Sequence, residues 1–168
     1  DLIVQKAVEI GAAEIFPLLS ARTVVQLDPE SAAQKQAKWQ QVAIEAAKQC
    51  GQNWLPQVHV PSAAEEFFRA VEAGVSPAIH RAETAARHGE RSTRTPLQFD
   101  LRLIGSLQPG ARHLKELLAE QPRRPESVLM LIGPEGDFTP AEIGLARSHG
   151  CAPLTLGPII LRVESAAI

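Results

Sequence analysis

The segment Ser127-Val128-Leu129-Met130-Leu131-Ile132-Gly133-Pro134-Glu135-Gly136 joins a continuous apolar run to a glycine-rich turn. Shortly after it comes Thr139-Pro140-Ala141-Glu142, a capping box with proline at the first helical position. A short apolar run bounded by glycine is typical of a strand buried on both faces. The segment therefore predicts a buried strand over 127–132, a tight loop, and a helix from Pro140 to about His149.

Helices and strands alternate along the rest of the chain. Predicted helices cover 2–10, 31–50, 63–73 and 113–120, and predicted strands cover 13–19, 57–60, 101–107 and 151–156. Pro17 places the strand over 13–19 at a sheet edge or makes it a strand end, because proline lacks the N–H that a ladder needs. Residues 80–95 are polar without periodicity and predict a surface loop. This alternation predicts an α/β domain whose parallel sheet has helices on both faces.

The composition narrows the class of protein. The 168 residues are 45% hydrophobic, with 17 Lys and Arg against 19 Asp and Glu, which fits one globular domain. A net charge of −2 argues against an extended basic surface, so contact with nucleic acid would need a local patch or a partner domain. No apolar run reaches membrane-spanning length and no basic leader is present, so we expect a cytoplasmic protein without membrane contact. The first residue is not Met and the sequence stops at Ala166-Ala167-Ile168, so we expect a piece of a longer polypeptide.

Cysteine and histidine give no sign of a metal or nucleophile site. Cys50 and Cys151 are far apart and are expected to be buried, reduced thiols. The five histidines show neither triad nor metal-ligand spacing, so we expect no metal, and we expect surface or loop positions for His59, His80, His88, His113 and His149.

Three loops that follow predicted strands are candidates for a small-molecule site: 107–110, 133–136 and 156–158. Ligands of parallel α/β sheets bind at the carboxyl ends of the strands, where such loops meet. The turn at Gly133 lacks the third glycine of a dinucleotide fingerprint and the ending of a phosphate loop, so a tight turn without ligand stays an alternative. Glu135 either binds a ligand amine or hydroxyl or stabilises the next helix through its dipole.

The segment after Pro158 has an unusual pattern. Ile159-Ile160-Leu161 is apolar and is expected to be buried, yet Arg162 and Glu164 follow it two residues apart, on one side of an extended chain. Taken alone, this spacing favours a surface ion pair, which would stabilise the fold by only about 0–1 kcal/mol.

Taken together, these motifs resemble those of the ribosomal RNA small-subunit methyltransferase E family. The matching stretches are LIGPEG at 131–136, LGP at 156–158 with ILR at 160–162 and ESA at 164–166, QKAVEIG at 5–11 and EAAKQCG at 45–51. The resemblance spans nearly the whole chain, with a variable stretch at about 75–100. It implies a fold of the SPOUT superfamily, whose members contain a trefoil knot.

The resemblance also implies an activity and a set of site residues. The activity is transfer of a methyl group from S-adenosylmethionine to N3 of a uridine in small-subunit (16S) ribosomal RNA, by a homodimer that associates through the knot. The implied cofactor-binding residues are Leu107, Gly133, Pro134, Glu135, Gly136, Leu156, Gly157, Ile160 and Leu161. Arg162 is the implied catalytic residue that orients the uracil or an RNA phosphate, and Glu164 either fixes Arg162 or joins the dimer interface. Gln49, Gln52 and Arg162 are the implied RNA contacts, although Gln49 could equally just end its helix.

Some features depart from the family pattern. Ile159 and Gln52 stand where the family usually has arginine, and Asp137 replaces a common glycine. The family's N-terminal RNA-binding barrel domain is absent from these residues, and only the first part of its last helix is expected. Two alternatives follow: a cofactor- or RNA-binding module without activity, and a SPOUT methyltransferase that acts on transfer RNA.

Overall fold

A computed structural model describes residues 1–22, 27–73, 99–134 and 136–167. The helices in these ranges are α1 (Leu2–Glu9), α2 (Pro29–Cys50), α3 (Ala64–Glu72), α4 (Leu114–Ala119), α5 (Pro140–Ser148) and α6 (Val163–Ala166). The strands are β1 (Glu14–Ile15), β2 (Leu18–Leu19), β3 (Gln57–Val58), β4 (Ser62–Ala63), β5 (Leu101–Gly105), β6 (Arg112–His113), β7 (Val128–Leu131) and β8 (Ala152–Thr155). The loop predicted over 80–95 lies outside the described residues.

The main sheet has four strands in the order β6-β8-β5-β7, and all of its strand pairs are parallel. Ile104 of β5 lies opposite Leu131 of β7 and Pro153 of β8, which sets the register at the centre of the sheet. Two smaller parallel pairs, β1 with β3 and β2 with β4, stand beside it. The carboxyl ends of β5, β7 and β8 therefore point the same way.

Helices cover both faces of the main sheet. On one face, Phe67 and Phe68 of α3 and Ile143 of α5 pack with Ile104 and Leu131. On the other face, Leu117 of α4 packs against the alternate side chains of the strands: Leu101, Leu103 and Leu154. This arrangement confirms the predicted α/β fold with a parallel sheet between helices, whereas the trefoil knot stays a prediction.

The capping signals of the sequence correspond to real helix ends. Thr139 accepts a hydrogen bond from the N–H of Glu142 at 3.3 Å, and the Glu142 carboxylate accepts one from the N–H of Thr139 at 2.8 Å, which confirms the capping box of α5. The helix α2 begins slightly earlier than Ser31, because Asp28 is its N-cap and accepts from the N–H of Ser31 at 2.9 Å.

The strand predicted over 13–19 is instead two short strands. Pro17 stands between β1 and β2 and has no N–H to donate, while its carbonyl accepts from the N–H of Ser62 at 3.2 Å. The chain therefore changes partners at Pro17, from β3 to β4.

The predicted environments of two polar side chains are wrong. Cys50 is exposed in the last turn of α2, whereas Cys151 is buried as predicted. His59 is not at the surface but 1% exposed, because Glu14 hydrogen-bonds its Nε2 at 2.7 Å and the Phe16 ring stacks on it at 4.1 Å. Within the ranges given above, no helix is both long enough and apolar enough to span a membrane.

Candidate active site at the carboxyl ends of β5, β7 and β8

An open cleft lies at the carboxyl ends of β5, β7 and β8. Six of the predicted cofactor-binding residues line it: Leu107, Gly133, Pro134, Leu156, Ile160 and Leu161. The sequence analysis did not select the other lining residues as ligand contacts, namely Gly105, Ser106, Ile132, Asp137, Leu154, Thr155, Ile159, Val163 and Ala166. The structure thus brings the three predicted loops together around one space.

Gly133 is a place where the backbone passes very close to another residue. A Cβ on Gly133 would lie 3.1 Å from Cδ2 of Phe138 and 3.3 Å from its backbone nitrogen. Phe138 is itself buried in the core between the sheet and α5, so it has little room to move. The lack of a side chain at Gly133 therefore allows the loop to pack directly against Phe138 on one side and to line the cleft on the other.

Asp137 connects two of the three loops. Its Oδ2 accepts a hydrogen bond from the N–H of Leu107 at 3.1 Å, and its Oδ1 accepts one from the N–H of Phe138 at 2.8 Å. Its φ is 63°, in the left-handed region that aspartate tolerates better than most side chains. The aspartate thus keeps the backbone conformation that a glycine would adopt and adds a link between the loops after β5 and β7.

Hydroxyl groups also stabilise the loops after β5 and β8. Thr155 donates from Oγ1 to the carbonyl of Gly157 at 2.8 Å and accepts from the N–H of Gly157 at 3.3 Å. Ser106 accepts from the N–H of Gln108 at 3.1 Å. These local bonds favour a turn in each loop.

The turn after β2 braces the glycine-rich loop from outside the cleft. Arg22 donates hydrogen bonds from its guanidinium to the carbonyl oxygens of Gly136 and Asp137, the latter at 3.3 Å. Ala21 donates its N–H to the Glu142 carboxylate at 2.8 Å. The sequence analysis missed both residues, because no local motif indicates that a turn more than a hundred residues away contacts this loop.

The carboxyl group of Glu142 has a perturbed acidity. Partial burial raises its pKa, but hydrogen bonds from the N–H groups of Thr139 and Ala21, and from the Thr139 hydroxyl, more than offset this effect. The pKa of Glu142 is therefore lowered, because these donors favour the charged form.

The apolar run after Pro158 is exposed, so its expected burial is wrong. Ile159 is 71% exposed and Ile160 is 75% exposed, although both line the cleft. The run follows β8 as a connecting segment at the mouth of the cleft and does not enter the sheet. Exposed apolar side chains beside a cleft are typical of sites that a ligand or another protein surface covers.

Arg162 and Glu164 stand at the start of α6, and both are exposed. Throughout the part of the chain that the structure covers, neither side chain forms an ion pair, so the expected pair between them is not present. Arg162 is the N-cap of α6 and lies between the cleft-lining residues Leu161 and Val163. Arg162 therefore adjoins the cleft wall in the chain without being part of it, and its side chain forms no ion pair in the described ranges.

The remaining described site residues of the prediction do not line the cleft. Gln49 is exposed at the end of α2, and Gln52 donates its side-chain amide to the carbonyl of Val8, tying α2 to α1. Gly136 and Gly157 belong to the cleft-forming loops but are not part of its wall, and Gly136 packs against Arg22. Glu135 is outside the described residues. In the described ranges, no cluster of His, Cys, Asp or Glu is placed to hold a metal ion.

Comparison with known proteins decides the family. The sequence model of the family described as RNA methyltransferase domain matches residues 1–168. The chain belongs to this family. Among curated relatives of this RNA methyltransferase domain, the ribosomal RNA small subunit methyltransferase E of Bacillus subtilis is 29% identical over 168 residues, which are the whole chain and 57% of that protein. The family resemblance of the sequence motifs is thereby confirmed.

Two solved structures resemble the domain in fold. A methyltransferase from Legionella pneumophila, solved in complex with the bound cofactor SAM, has 32% identity and a TM-score of 0.74, with coverage of 99% of this chain and 56% of that one. A ribosomal RNA small subunit methyltransferase E from Neisseria gonorrhoeae, bound to S-adenosyl methionine, has 32% identity and a TM-score of 0.68, with coverage of 98% and 55%. The chain thus spans little more than half the length of these relatives.

Proposed function

We propose that this chain supplies the catalytic domain of an S-adenosylmethionine-dependent ribosomal RNA methyltransferase. The observation that carries the proposal is the cleft at the ends of β5, β7 and β8. It is built from the loops whose motifs match the family, and relatives with 32% identity were solved with S-adenosylmethionine bound. The apolar wall of Leu107, Leu156 and Ile160 suits the apolar faces of an adenosine-bearing ligand.

The proposed substrate is N3 of a uridine in small-subunit ribosomal RNA, methylated by a homodimer. The names of the curated relatives from several bacteria support the small-subunit RNA. The exposed side chains of Ile159 and Ile160 support the homodimer, because a second copy over the mouth of the cleft would remove them from water.

When bound, the cofactor supplies a methyl group on a positively charged sulfur, which is already a good leaving group. The protein then has to hold the nucleophilic nitrogen in line with the methyl group and favour loss of the nitrogen's proton. We assign binding of the cofactor to Leu107, Gly133, Pro134, Glu135, Gly136, Leu156, Gly157, Ile160 and Leu161. The hydrogen bonds of Asp137 and Thr155 fix the loops before the cofactor binds, so that little rearrangement is needed on binding.

Arg162 is the proposed catalytic residue. It lies in the chain between two residues of the cleft wall, and its guanidinium forms no ion pair in the described part of the chain. A guanidinium can donate two parallel hydrogen bonds to uracil oxygens or a phosphate and stabilise the negative charge that develops on the base. Glu164, in the first turn of α6, is assigned to the dimer interface instead of to fixing Arg162, with which it forms no ion pair.

One alternative is a cofactor-binding module without activity. It is favoured by Ile159 and Gln52, which occupy positions where the family resemblance places arginine. Since the Gln52 amide is bound to the carbonyl of Val8, this side chain does not replace a cation facing RNA. The absence of these two arginines would weaken binding of RNA and leave cofactor binding intact.

Calorimetric titration with S-adenosylmethionine, followed by transfer of a labelled methyl group to ribosomal RNA from a strain that lacks the modification, tests the proposal. We expect binding, followed by label at N3 of one uridine in the small-subunit RNA. Binding without transfer would favour the inactive module. Label in transfer RNA instead of ribosomal RNA would show another substrate, and no binding at all would overturn the proposal.

A further inference from the structure

We propose that Asp137 makes the cleft prefer the cationic methyl donor to the neutral product that remains after transfer. This inference rests on the proposed function and deepens it, because it assigns a specificity-determining residue to the cofactor site. The position is one where the family commonly has glycine, so this property would belong to this chain and not to the family as a whole.

The first observation is the fixed position of the carboxylate. Asp137 is 9% exposed and lines the cleft, and its two oxygens accept hydrogen bonds from Leu107 at 3.1 Å and Phe138 at 2.8 Å. The bond from Leu107 joins the loops after β5 and β7, and the bond from Phe138 is to the next residue in the chain, so the carboxylate cannot turn away without losing both bonds. A negative charge is therefore held in the wall of the site before any ligand arrives.

The second observation is that this charge has no cationic partner among the described residues. Arg22 is the neighbouring cation, but its guanidinium bonds to the carbonyl oxygens of Gly136 and Asp137 and forms no ion pair with the Asp137 carboxylate. A buried charge is costly unless something compensates it. A cation that enters the cleft would provide this compensation.

The chemistry of methyl transfer changes the charge of the bound cofactor by one unit. The bond between the methyl carbon and sulfur breaks, its electron pair stays on sulfur, and the carbon forms a bond to the nucleophilic nitrogen of the base, whose proton passes to solvent. The positively charged sulfonium thereby becomes a neutral thioether. Since Coulomb attraction to Asp137 acts on the sulfonium charge only before transfer, the cleft loses affinity for the spent cofactor, which favours its release.

The test compares affinities for S-adenosylmethionine and S-adenosylhomocysteine by calorimetry, using the chain and the variants Asp137→Asn and Asp137→Gly. The asparagine keeps an oxygen acceptor at nearly the same shape but removes the charge. We expect Asp137→Asn to bind the donor about tenfold more weakly, which is the scale of one partly screened charge contact. The affinity of Asp137→Asn for S-adenosylhomocysteine should change little. Asp137→Gly should show the same change in the ratio of the two affinities, donor over product.

The matched control is Ser106→Ala. Ser106 lines the same cleft and its hydroxyl accepts from the N–H of Gln108, so this variant removes a neutral acceptor from the loop without changing charge. It should alter both affinities by the same factor and leave their ratio unchanged. Equal losses for donor and product in Asp137→Asn would show that Asp137 only fixes the loops, and would overturn the inference.

A second measurement does not depend on the folding of any variant. In the unmodified chain, the preference for donor over product should narrow as ionic strength rises, because salt screens charge interactions. A preference that is absent or unaffected by salt would overturn the inference while the proposed function stands. Failure of the unmodified chain to bind either compound would instead overturn the proposed function and this inference with it.

Discussion

The carboxylate of Glu142 accepts a hydrogen bond from the backbone N–H of Ala21 at 2.8 Å, across 121 positions of the sequence. The same carboxylate accepts from the N–H of Thr139 and completes the cap of α5. One side chain thus fixes both the start of the helix after the glycine-rich loop and the turn after β2, whose Arg22 contacts that loop. The shape of one cleft wall depends on this link.

Because the folded state lowers the pKa of Glu142, the stabilisation by this link depends on pH in a defined direction. The stabilisation is fully present at pH values above 4.5, the ordinary pKa of glutamate. It is lost as the pH falls through the lowered pKa of Glu142 in the folded chain. We expect Glu142→Gln to reduce the free energy of unfolding by about 0.3–1 kcal/mol near neutral pH, because the amide removes a negative charge from the N-terminus of α5. As the pH falls through the lowered pKa of Glu142, the chain and the variant should converge in stability. Urea unfolding of the chain and the variant, at neutral pH and at acidic pH, measures this difference in stability. A difference that does not change with pH would contradict the role given to the Glu142 carboxylate.

Replacement of Gly133 by alanine should damage the cleft. The new Cβ would press on the buried ring and backbone of Phe138. We expect a loss of about 1–3 kcal/mol in stability, as for other overpacked sites, together with weaker binding of the methyl donor. Thermal unfolding and calorimetry measure the two effects.

The control for this change is Gly144→Ala in α5. Gly144 is exposed, and a Cβ there would meet no atom within 4 Å. Because glycine is unfavourable inside a helix, this variant should gain about 0.5–1 kcal/mol and bind the donor normally. Normal binding by Gly133→Ala as well would mean that this loop does not shape the site.

Replacement of Arg162 by alanine should affect turnover far more than donor affinity. Arg162 is exposed and forms no ion pair in the described ranges, so its removal costs the fold little. We expect turnover to fall about 100-fold, as when a group that stabilises developing charge is removed. Arg162→Lys should recover only part of this, since lysine keeps the charge without the planar pair of donors. Single-turnover methylation and calorimetry separate the two effects, and equal losses would make Arg162 a cofactor-binding residue.

The two thiols should differ in reactivity. Cys50 is exposed, whereas burial raises the pKa of Cys151 to about 11. Since the thiolate is the reactive form, iodoacetamide at about pH 8 should modify Cys50 and leave Cys151 unmodified in the folded chain. Mass spectrometry of the protein and of Cys50→Ser tests this. Rapid labelling of Cys151 in the folded variant would show that the core around α5 opens easily.

The sequence predicted those parts of the fold that local chemistry determines. Thr139, Pro140 and Glu142 specify the start of α5 through neighbouring groups, and the apolar run before Gly133 specifies β7. The short strands β4 and β6 were not predicted, because two residues are too few to show an alternating pattern.

The parts of the site that depend on distant partners could not be predicted. The contact of Arg22 with the glycine-rich loop and that of Gln52 with Val8 join segments that no spacing rule connects. The exposure of Ile159 and Ile160 was also missed, because an apolar run indicates that something covers it but not whether the same chain does so.

The walls of the cleft are encoded far apart in the order of synthesis. Gly105 and Ser106 leave the ribosome well before Val163 and Ala166, which complete the opposite side. A nascent chain that has already formed β5 and β7 therefore has only part of a pocket and cannot gain stability from the ligand. Protection by the ligand comes late in biogenesis, and until then the incomplete sheet is stabilised only by its packing against α3, α4 and α5.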